Sequence, residues 1–553
     1  MMASETRGFT LAGAEDGDRG EPAPDPVADA LTVLRQSFTV VEERGTPAGG
    51  PLRRTWLDTF DWRLYRAGLV LEHEQTRRDA RLVLTDTKAG TTDAKAGTTD
   101  TKAGMTAEQP APGWQSRRPS MPAEIPAGPL RDTIVALAEP RALLPLTKAV
   151  TTRTSFRLLN ADGKTVARVH VDRTTVTAGP PVVLPPFLAI AEVRGYPAQA
   201  RRAAALIEPL PGAQPGDGTV FHVALAAVGR QAGDYTGKVV AAITADMPAA
   251  QAVATLLLGL LGTLTDNVDG VLRDIDIEFL HDLRVAVRRT RSALKLLGDV
   301  LPADLVTHYR AEFKWLGDLT TPVRDLDVHL EGHAALAASL TAATPADLEP
   351  LREFLVRTRA REFRLLTRGL RSVRFRALTH DWEKELRQIR ETRPRRRPGS
   401  QLTAATLGGE RIARAYRVIV RHGRAITAQS PPETLHDLRK RCKELRYLLE
   451  FFAPLHQPSA AAKALTDLKR LQDCLGEFQD SQVQREEITA LAEQMLSEPR
   501  RPPAATLLAM GEVAARLAVS QQQARECFGQ RFAQFAGPRG QQRLQVLLES
   551  RPE

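Results

Sequence analysis

Apolar residues recur at heptad spacing along two stretches of this chain, residues 280–295 and 435–450. In the second, Leu435, Leu438, Cys442, Leu445, Leu449 and Phe452 form the seam; in the first, Leu280, Leu283, Val287, Leu294 and Leu297 do. That period predicts an amphipathic helix in each place. One position further round each helix lies a second stripe, made of His281, Arg284, Arg288, Arg291 and Lys295 in the first copy and His436, Arg439, Lys443 and Arg446 in the second. Successive residues are turned by about 100° on a helix, so the cations border the buried seam.

His281 and His436 stand 155 residues apart, and the same offset carries residues 313–328 onto 468–483 without a gap. It superimposes Lys314 on Lys469, Asp318 on Asp473, Asp325 on Asp480 and Val328 on Val483. Two spaced matches in one register indicate a duplicated helical unit from about residue 247 onward, with repeats at 247–390 and 402–540 around a basic linker at 391–401. Within the first repeat the pattern predicts helices over 248–272, 275–298, 303–319, 323–340 and 346–390. Before the repeated helix of the second, Thr434 is the expected N-cap.

Residues 31–240 have a different texture. Short alternating segments such as SFTVVEE, GLVLEHE, ARLVLTD, TSFRLLN, TVARVHVDRTTV and FLAIAEVRG are separated by turn residues and predict antiparallel strands. Asn160, Ala161, Asp162 and Gly163 read as a hairpin turn, and helical pieces are expected at 129–137 and 197–207. Residues 1–30 are polar and rich in Gly and Pro, so disorder is expected there. Residues 85–128 read as a low-complexity insertion: DTKAGTT, DAKAGTT and DTKAGMT cannot bury a face, and a basic, Pro-rich connector follows. The fold class is α+β and multidomain, a β-rich part followed by an all-α part.

Charge sharpens the functional reading. The 553 residues carry 76 Lys+Arg against 66 Asp+Glu, a net +10 and a pI near 9.7, which points to polyanionic partners where the excess is concentrated. Aromatics are only 5% of residues, too few to favour stacking of unpaired bases. Cys442, Cys474 and Cys527 lack metal-ligand spacing, and Cys442 falls on the apolar seam. No basic-then-apolar leader opens the chain, and the apolar run at 248–264 reads as a core helix, so a soluble, cytoplasmic protein is expected.

The residues from His281 to Leu294 match H-x-L-R-V-A-x-R-R-x-R-x-A-L, and Lys314 to Val328 match K-W-L…V-R-D-L-D-V. With the weaker H-x-L-R-K-x-x-K-x-L-R-Y at His436 to Tyr447, residues 247–540 resemble the CHAD family, the conserved-histidine α-helical domain. The resemblance implies two pseudo-symmetric helical bundles, a basic surface that binds inorganic polyphosphate, and association with polyphosphate granules. The N-terminal part resembles a CYTH domain, through TWLDTFDWRLYRAGL at residues 55–69. That implies an antiparallel β-tunnel or barrel, with Arg157, Arg168, Asp172 and Glu192 among its lining. The opening E-x-E-x-K of that family is missing, and its L-R-x-R is replaced by Leu71, Glu72, His73 and Glu74.

The expected polyphosphate-binding set is His281, Arg284, Arg288, Arg289, Arg291, Lys295, Lys314, His436, Arg439, Lys440, Lys443, Arg446 and Lys469. The first row spans about 21 Å of helix, with arginines able to grip phosphate bidentately and histidines adding donors as pH falls through about 6.5. Asp282, Asp437 and Glu444 fall on the outer side, Glu450 shortens the second row, and Asp325 and Asp480 read as partners for neighbouring cations. No catalytic residue, metal or cofactor is expected. Metal-dependent triphosphate hydrolysis, with Mg²⁺ or Mn²⁺ held by Asp58, Asp61, Glu72, Glu74, Asp172 and Glu192, is the enzymatic rival, and nucleic-acid binding is the second.

Overall fold

The computed structural model describes residues 6–12, 25–43, 50–87, 106–216, 220–237, 241–392 and 402–549. The DTKAGTT-type repeats at 88–105 and the linker arginines from 393 to 401 lie outside them. Two compact units divide the chain, Met1–Thr236 and Gly237–Glu553.

The first unit is built on one antiparallel sheet. Its strands are β1 (Thr6–Leu11), β2 (Thr39–Glu42), β3 (Leu52–Thr59), β4 (Leu69–Gln75), β5 (Ala80–Asp86), β6 (Thr106–Pro110), β7 (Leu143–Leu159), β8 (Thr165–Val176), β9 (Val182–Val183), β10 (Phe187–Glu192) and β11 (Ala213–Gly216). Helices α1 (Pro26–Arg35), α2 (Arg63–Arg66), α3 (Pro129–Ala138), α4 (Pro197–Ile207) and α5 (Phe221–Ala226) complete it. The strands pair in the order β11-β1-β10-β8-β7-β3-β4-β5-β6, with β2 on β7 and β9 on β8. Because that path ends at β11 and β6, the described hydrogen bonding leaves the sheet open where a closed barrel was expected.

Alternation sorts the two faces. Phe156, Leu158, Val169, Val171, Leu188 and Ile190 point to one side, where they are buried with Leu31 and Leu34 of α1 and Ala203 and Ile207 of α4. Further along the sheet, Leu57, Leu71, Leu82 and Leu84 pack on Leu130, Ile134 and Ala138 of α3. The hairpin at Asn160 forms as its residues require: Gly163 takes φ +73°, and the Asn160 side-chain oxygen accepts from the Asp162 and Lys164 amides at 3.1 and 2.9 Å.

Two expectations for this unit are corrected. Residues 6–11, inside the tail expected to be disordered, form β1 between β10 and β11, and Phe9 and Leu11 are buried in the core. Two alternating apolar residues suffice because both flanking strands are already in place to pair with them. The supposed insertion at 85–128 contains β6, and its Pro-rich remainder closes over the sheet, with Ala111 and Ile125 fully buried.

The regular structure of the second unit's described residues is helical: α6 (Ala249–Leu272), α7 (Ile277–Leu297), α8 (Ala303–Ala338), α9 (Glu349–Leu370), α10 (Val373–Glu391), α11 (Ala404–Arg424), α12 (Pro432–Phe451), α13 (Pro458–Ser497), α14 (Ala504–Ala536) and α15 (Pro538–Glu549). Helices starting at 249, 277, 303 and 349 have counterparts starting at 404, 432, 458 and 504, each 155 residues on. Pro248 and Thr403, also 155 apart, form an antiparallel bridge. A residue that pairs antiparallel with its own repeat equivalent marks a local two-fold axis, so the halves are related by pseudo-dyad symmetry. A shared core ties them at the far end, where Leu326, Leu348, Leu351 and Phe354 meet Ile488, Leu491, Met510 and Val513.

Here too some boundaries move. Pro322 lies inside a continuous α8 where a break was expected, although its missing N–H removes one hydrogen bond from the helix. The stretch 346–390 is two helices, because Ser372 caps a new start by accepting from the Phe375 amide at 3.2 Å. Helix α12 begins at Pro432, before Thr434, whose hydroxyl donates back to the Pro431 carbonyl and caps nothing. Helix α6 is long and apolar enough to cross a membrane, yet Val253, Leu256, Leu257, Leu260, Leu261 and Leu264 are buried within the unit.

Gly270 in α6 faces the Phe279 ring of α7 so closely that any Cβ would collide with it. Gly270→Val should cost about 1–3 kcal/mol by overpacking, read as a lower urea midpoint at unchanged slope.

Candidate functional site

Helix α7 starts cleanly because Asp276 accepts from the Glu278 and Phe279 amides at 3.0 and 3.2 Å. Burial of Leu280, Leu283, Val287, Leu294 and Leu297 fixes its rotation, and burial of Leu435, Leu438, Cys442, Leu445 and Leu449 fixes that of α12. The bordering stripes are thereby aimed, and the structure sorts their cations into two groups.

The first group is neutralised. Arg289 pairs with Glu450 at 2.6 Å, and Lys295 pairs with Glu444 at 2.6 Å. Positions 289 and 444 are repeat equivalents, as are 295 and 450, so these two bridges are images of each other across the pseudo-dyad. Glu450 also takes Arg446 at 2.7 Å. Arg439 pairs with Asp480 at 3.0 Å, Lys440 with Asp437 at 3.3 Å, and Lys314 with Asp318 at 2.6 Å. Asp437 lies on the outer side as expected, in an exposed pair on its own helix, whereas Glu444 does not simply face outward and Glu450 does more than shorten a row: Glu444 and Glu450 join the halves.

The second group is brought together without carboxylate partners. Among the described residues, Arg284, Arg288, Arg291 and Lys443 make no ion pair within 4 Å. Arg284 donates to neutral acceptors on α8, the Thr321 hydroxyl at 2.7 Å and the Thr320 hydroxyl at 3.2 Å. Arg288 lies over the Tyr447 ring at 6.0 Å. Arg291 crosses Gly317, where a Cβ would stand 2.9 Å from its Nη1. Lys469 is exposed on α13 with no carboxylate bridge among the described residues.

Electrostatics shows how close these groups are. Burial, followed by the charges of Arg439, Arg288 and Arg446, brings the Lys443 ammonium down to about 8. Burial also lowers Arg284 below the usual arginine range, Asp325 opposes the fall, and Arg288, Arg324 and Arg291 add to it. Arg288 and Lys443 are repeat equivalents and neighbours, so they straddle the pseudo-dyad and the two rows share one face.

Arg324 was missing from the expected set although it stands in the quoted motif. Its Nη1 is buried without a hydrogen-bond partner, and its charge acts on both His281 and Arg284. Its repeat equivalent, Gln479, instead accepts from His436 Nδ1 through its side-chain oxygen. His281 also departs from expectation. Burial, together with Arg324 and Arg288, outweighs Glu278 and Asp282 and lowers its pKa, so it gains charge only below the ordinary imidazole range.

The β-unit carboxylates offered for a metal site are otherwise engaged. Asp58 caps α2 by accepting from the Thr59, Leu64 and Tyr65 amides at 2.7, 3.0 and 2.8 Å, and burial raises it to about 6. Asp61 pairs with Arg63 and Arg141, Glu72 with Arg54, Glu74 with Arg81, and Asp172 bidentately with Arg153 at 2.7 and 2.6 Å. Arg157 and Arg168 share Glu43. Glu192 ends β10, and it too is partnered. Among the described residues no group of three or more His, Cys, Asp or Glu is placed to hold a metal ion.

The family model of the CHAD domain matches residues 255–489. Similar solved structures include the CHAD domain from the plant Ricinus communis, 23% identical, covering 54% of this chain and 96% of that one with a TM-score of 0.46. PptA from Streptomyces chartreusis is 19% identical, covering 52% and 99% with a TM-score of 0.38. No curated protein matches.

Two outcomes follow from the charge arrangement. Lys443→Met should raise stability by about 1 kcal/mol at pH 7 after allowance for solvent screening. Because the folded-state pKa, about 8, lies below the unfolded value of about 10.4, the wild type gains stability as pH rises between them. The variant's advantage in Tm should therefore shrink from pH 8 to 10.5. Separately, Glu444→Lys should cost about 1 kcal/mol and adding Lys295→Glu should restore most of it, seen in the urea midpoints of the four proteins of that cycle.

Proposed function

With residues 255–489 a CHAD domain, we propose that this chain binds inorganic polyphosphate without transforming it, on the face shared by α7 and α12. The observation that carries the reading is the cluster of Arg284, Arg288, Arg291 and Lys443, which approach one another and lack carboxylate bridges among the described residues. Like charges held at this spacing oppose folding, and a linear polyanion relieves that repulsion. Arginines supply paired N–H donors to phosphate oxygens, and the lysine adds a point charge. Arg324 and His281 support the row from behind, and Lys469 extends it on α13. We assign the protein to the cytoplasm, on polyphosphate granules, as the compartment where this ligand would engage it.

Triphosphate hydrolysis by the β-unit has no such support, since its candidate carboxylates are committed to arginines or to a helix start. Nucleic acid shares the charge but requires base platforms or groove-reading elements that the clustered cations do not provide.

Arg284→Ala, Arg288→Ala and Arg291→Ala combined should abolish retention on a polyphosphate column and leave the helical circular dichroism intact. Wild-type retention should fall steeply with added salt, as counterion release requires. Unchanged retention of the triple variant would falsify the assignment, and displacement by long DNA at equal phosphate concentration would rename the ligand.

A further inference from the structure

On the helix-covered face of the β-sheet, register places Thr55, His73 and Lys148 in one row and Arg53, Gln75 and Val150 in the next. Over these rows, walled on another side by residues 114–117, lies a cavity of about 610 Å³. Arg54, which is matched to Glu72, also borders it, whereas Arg81 and Arg153, matched to Glu74 and Asp172, do not.

Its walls have an unbalanced chemistry. Arg53, Arg54, Arg117 and Lys148 line it and no Asp or Glu does; Arg54 is paired with Glu72, and the other three make no ion pair among the described residues. His73, only 4% exposed, forms part of the wall. Its Nδ1 is bonded to the Ser116 hydroxyl at 2.7 Å, while its Nε2 is buried with no partner. Burial lowers the His73 pKa and so favours the neutral ring. When the Ser116 hydroxyl donates to Nδ1, Nε2 carries the hydrogen and has a donor to offer. Trp114 stands edge-on to His73 at 5.2 Å between ring centres and adds an apolar wall. A buried nitrogen left without a partner is costly, and three unmatched cations around one space are costly again.

The space is far larger than a single phosphate needs and falls in the range of small-molecule sites. We propose that this cavity binds a small organic polyanion, its clustered negative charge held by Arg53, Arg117 and Lys148 and its uncharged body resting against Trp114. This site is separate from the helical surface, and the polyphosphate-column result does not bear on it.

The test uses the full chain carrying the Arg284→Ala, Arg288→Ala and Arg291→Ala changes, so that the helical surface contributes little. Calorimetric titrations with ATP, citrate and inorganic phosphate distinguish an organic phosphate from a carboxylate and from a simple anion. ATP or citrate should bind one per chain at millimolar concentration or below, at least tenfold more tightly than phosphate. Adding Arg53→Ala and Arg117→Ala, both at exposed positions, should weaken that binding at least tenfold without lowering Tm. The bound anion should also change the tryptophan emission, and Trp114→Phe should remove the change. Failure of both ATP and citrate to bind overturns the proposal, and so does binding indifferent to the two arginines.

Discussion

The helical unit depends on one crossing, where α7 and α12 meet across the pseudo-dyad and exchange charges. In the first half positions 289 and 295 are cationic; in the second their equivalents, 444 and 450, are acidic. Pairing two first halves this way would set each Arg289 against the other copy's Lys295, and pairing two second halves would set each Glu444 against the other copy's Glu450. Only first against second satisfies every charge, so the duplication is symmetric in backbone and complementary in sequence. The same crossing brings Arg288 beside Lys443, which makes one cationic face out of two rows. Removing charge at the interface positions and at the clustered, unbridged positions therefore has opposite meanings for stability.

Much of this was legible before any coordinates. The 155-residue offset, taken from two motifs, holds to the residue between the starts of four helix pairs, because a seam of Leu and Val specifies helix rotation and its recurrence specifies register. The division into a β-rich part and a helical part was equally legible, since periods of 2 and 3.6 do not mimic each other over long stretches. Boundaries read from single residues fared worse. Pro322 and Thr434 carry real local preferences, but packing overrides the first, and Pro432 supplies the helix start that was assigned to the second.

The stripe itself was visible, whereas its division into paired and unpaired cations was not. Arg288 and Arg289 are adjacent in sequence and about 100° apart on the helix, and which one meets a carboxylate depends on where the partner helix crosses. That crossing is tertiary information. Arg324 was hidden for a related reason: it lies on α8, outside the repeated stripe, and its equivalent is Gln479. A comparison of the halves that looked for differences as well as matches points to it. Strand β1 escaped because six residues in polar surroundings carry little period, and its burial is conferred by β10 and β11.

The difference between the halves has a functional direction. In the second, Asp480 and Glu450 take up Arg439 and Arg446, and His436 meets a neutral amide. In the first, Arg284 has hydroxyls in place of a carboxylate bridge, and His281 faces Arg324. The first half therefore holds the field, and the second contributes mainly Lys443 at the axis. Such a cluster is stable only because the apolar seams of both helices and the shared core at the far end resist its repulsion. Anything that binds and discharges it stabilises the folded unit in proportion to its affinity. With Lys443 already drawn down to about 8, a polyanion bound there above neutral pH would return its proton and couple binding to proton uptake at the axis where the two halves meet.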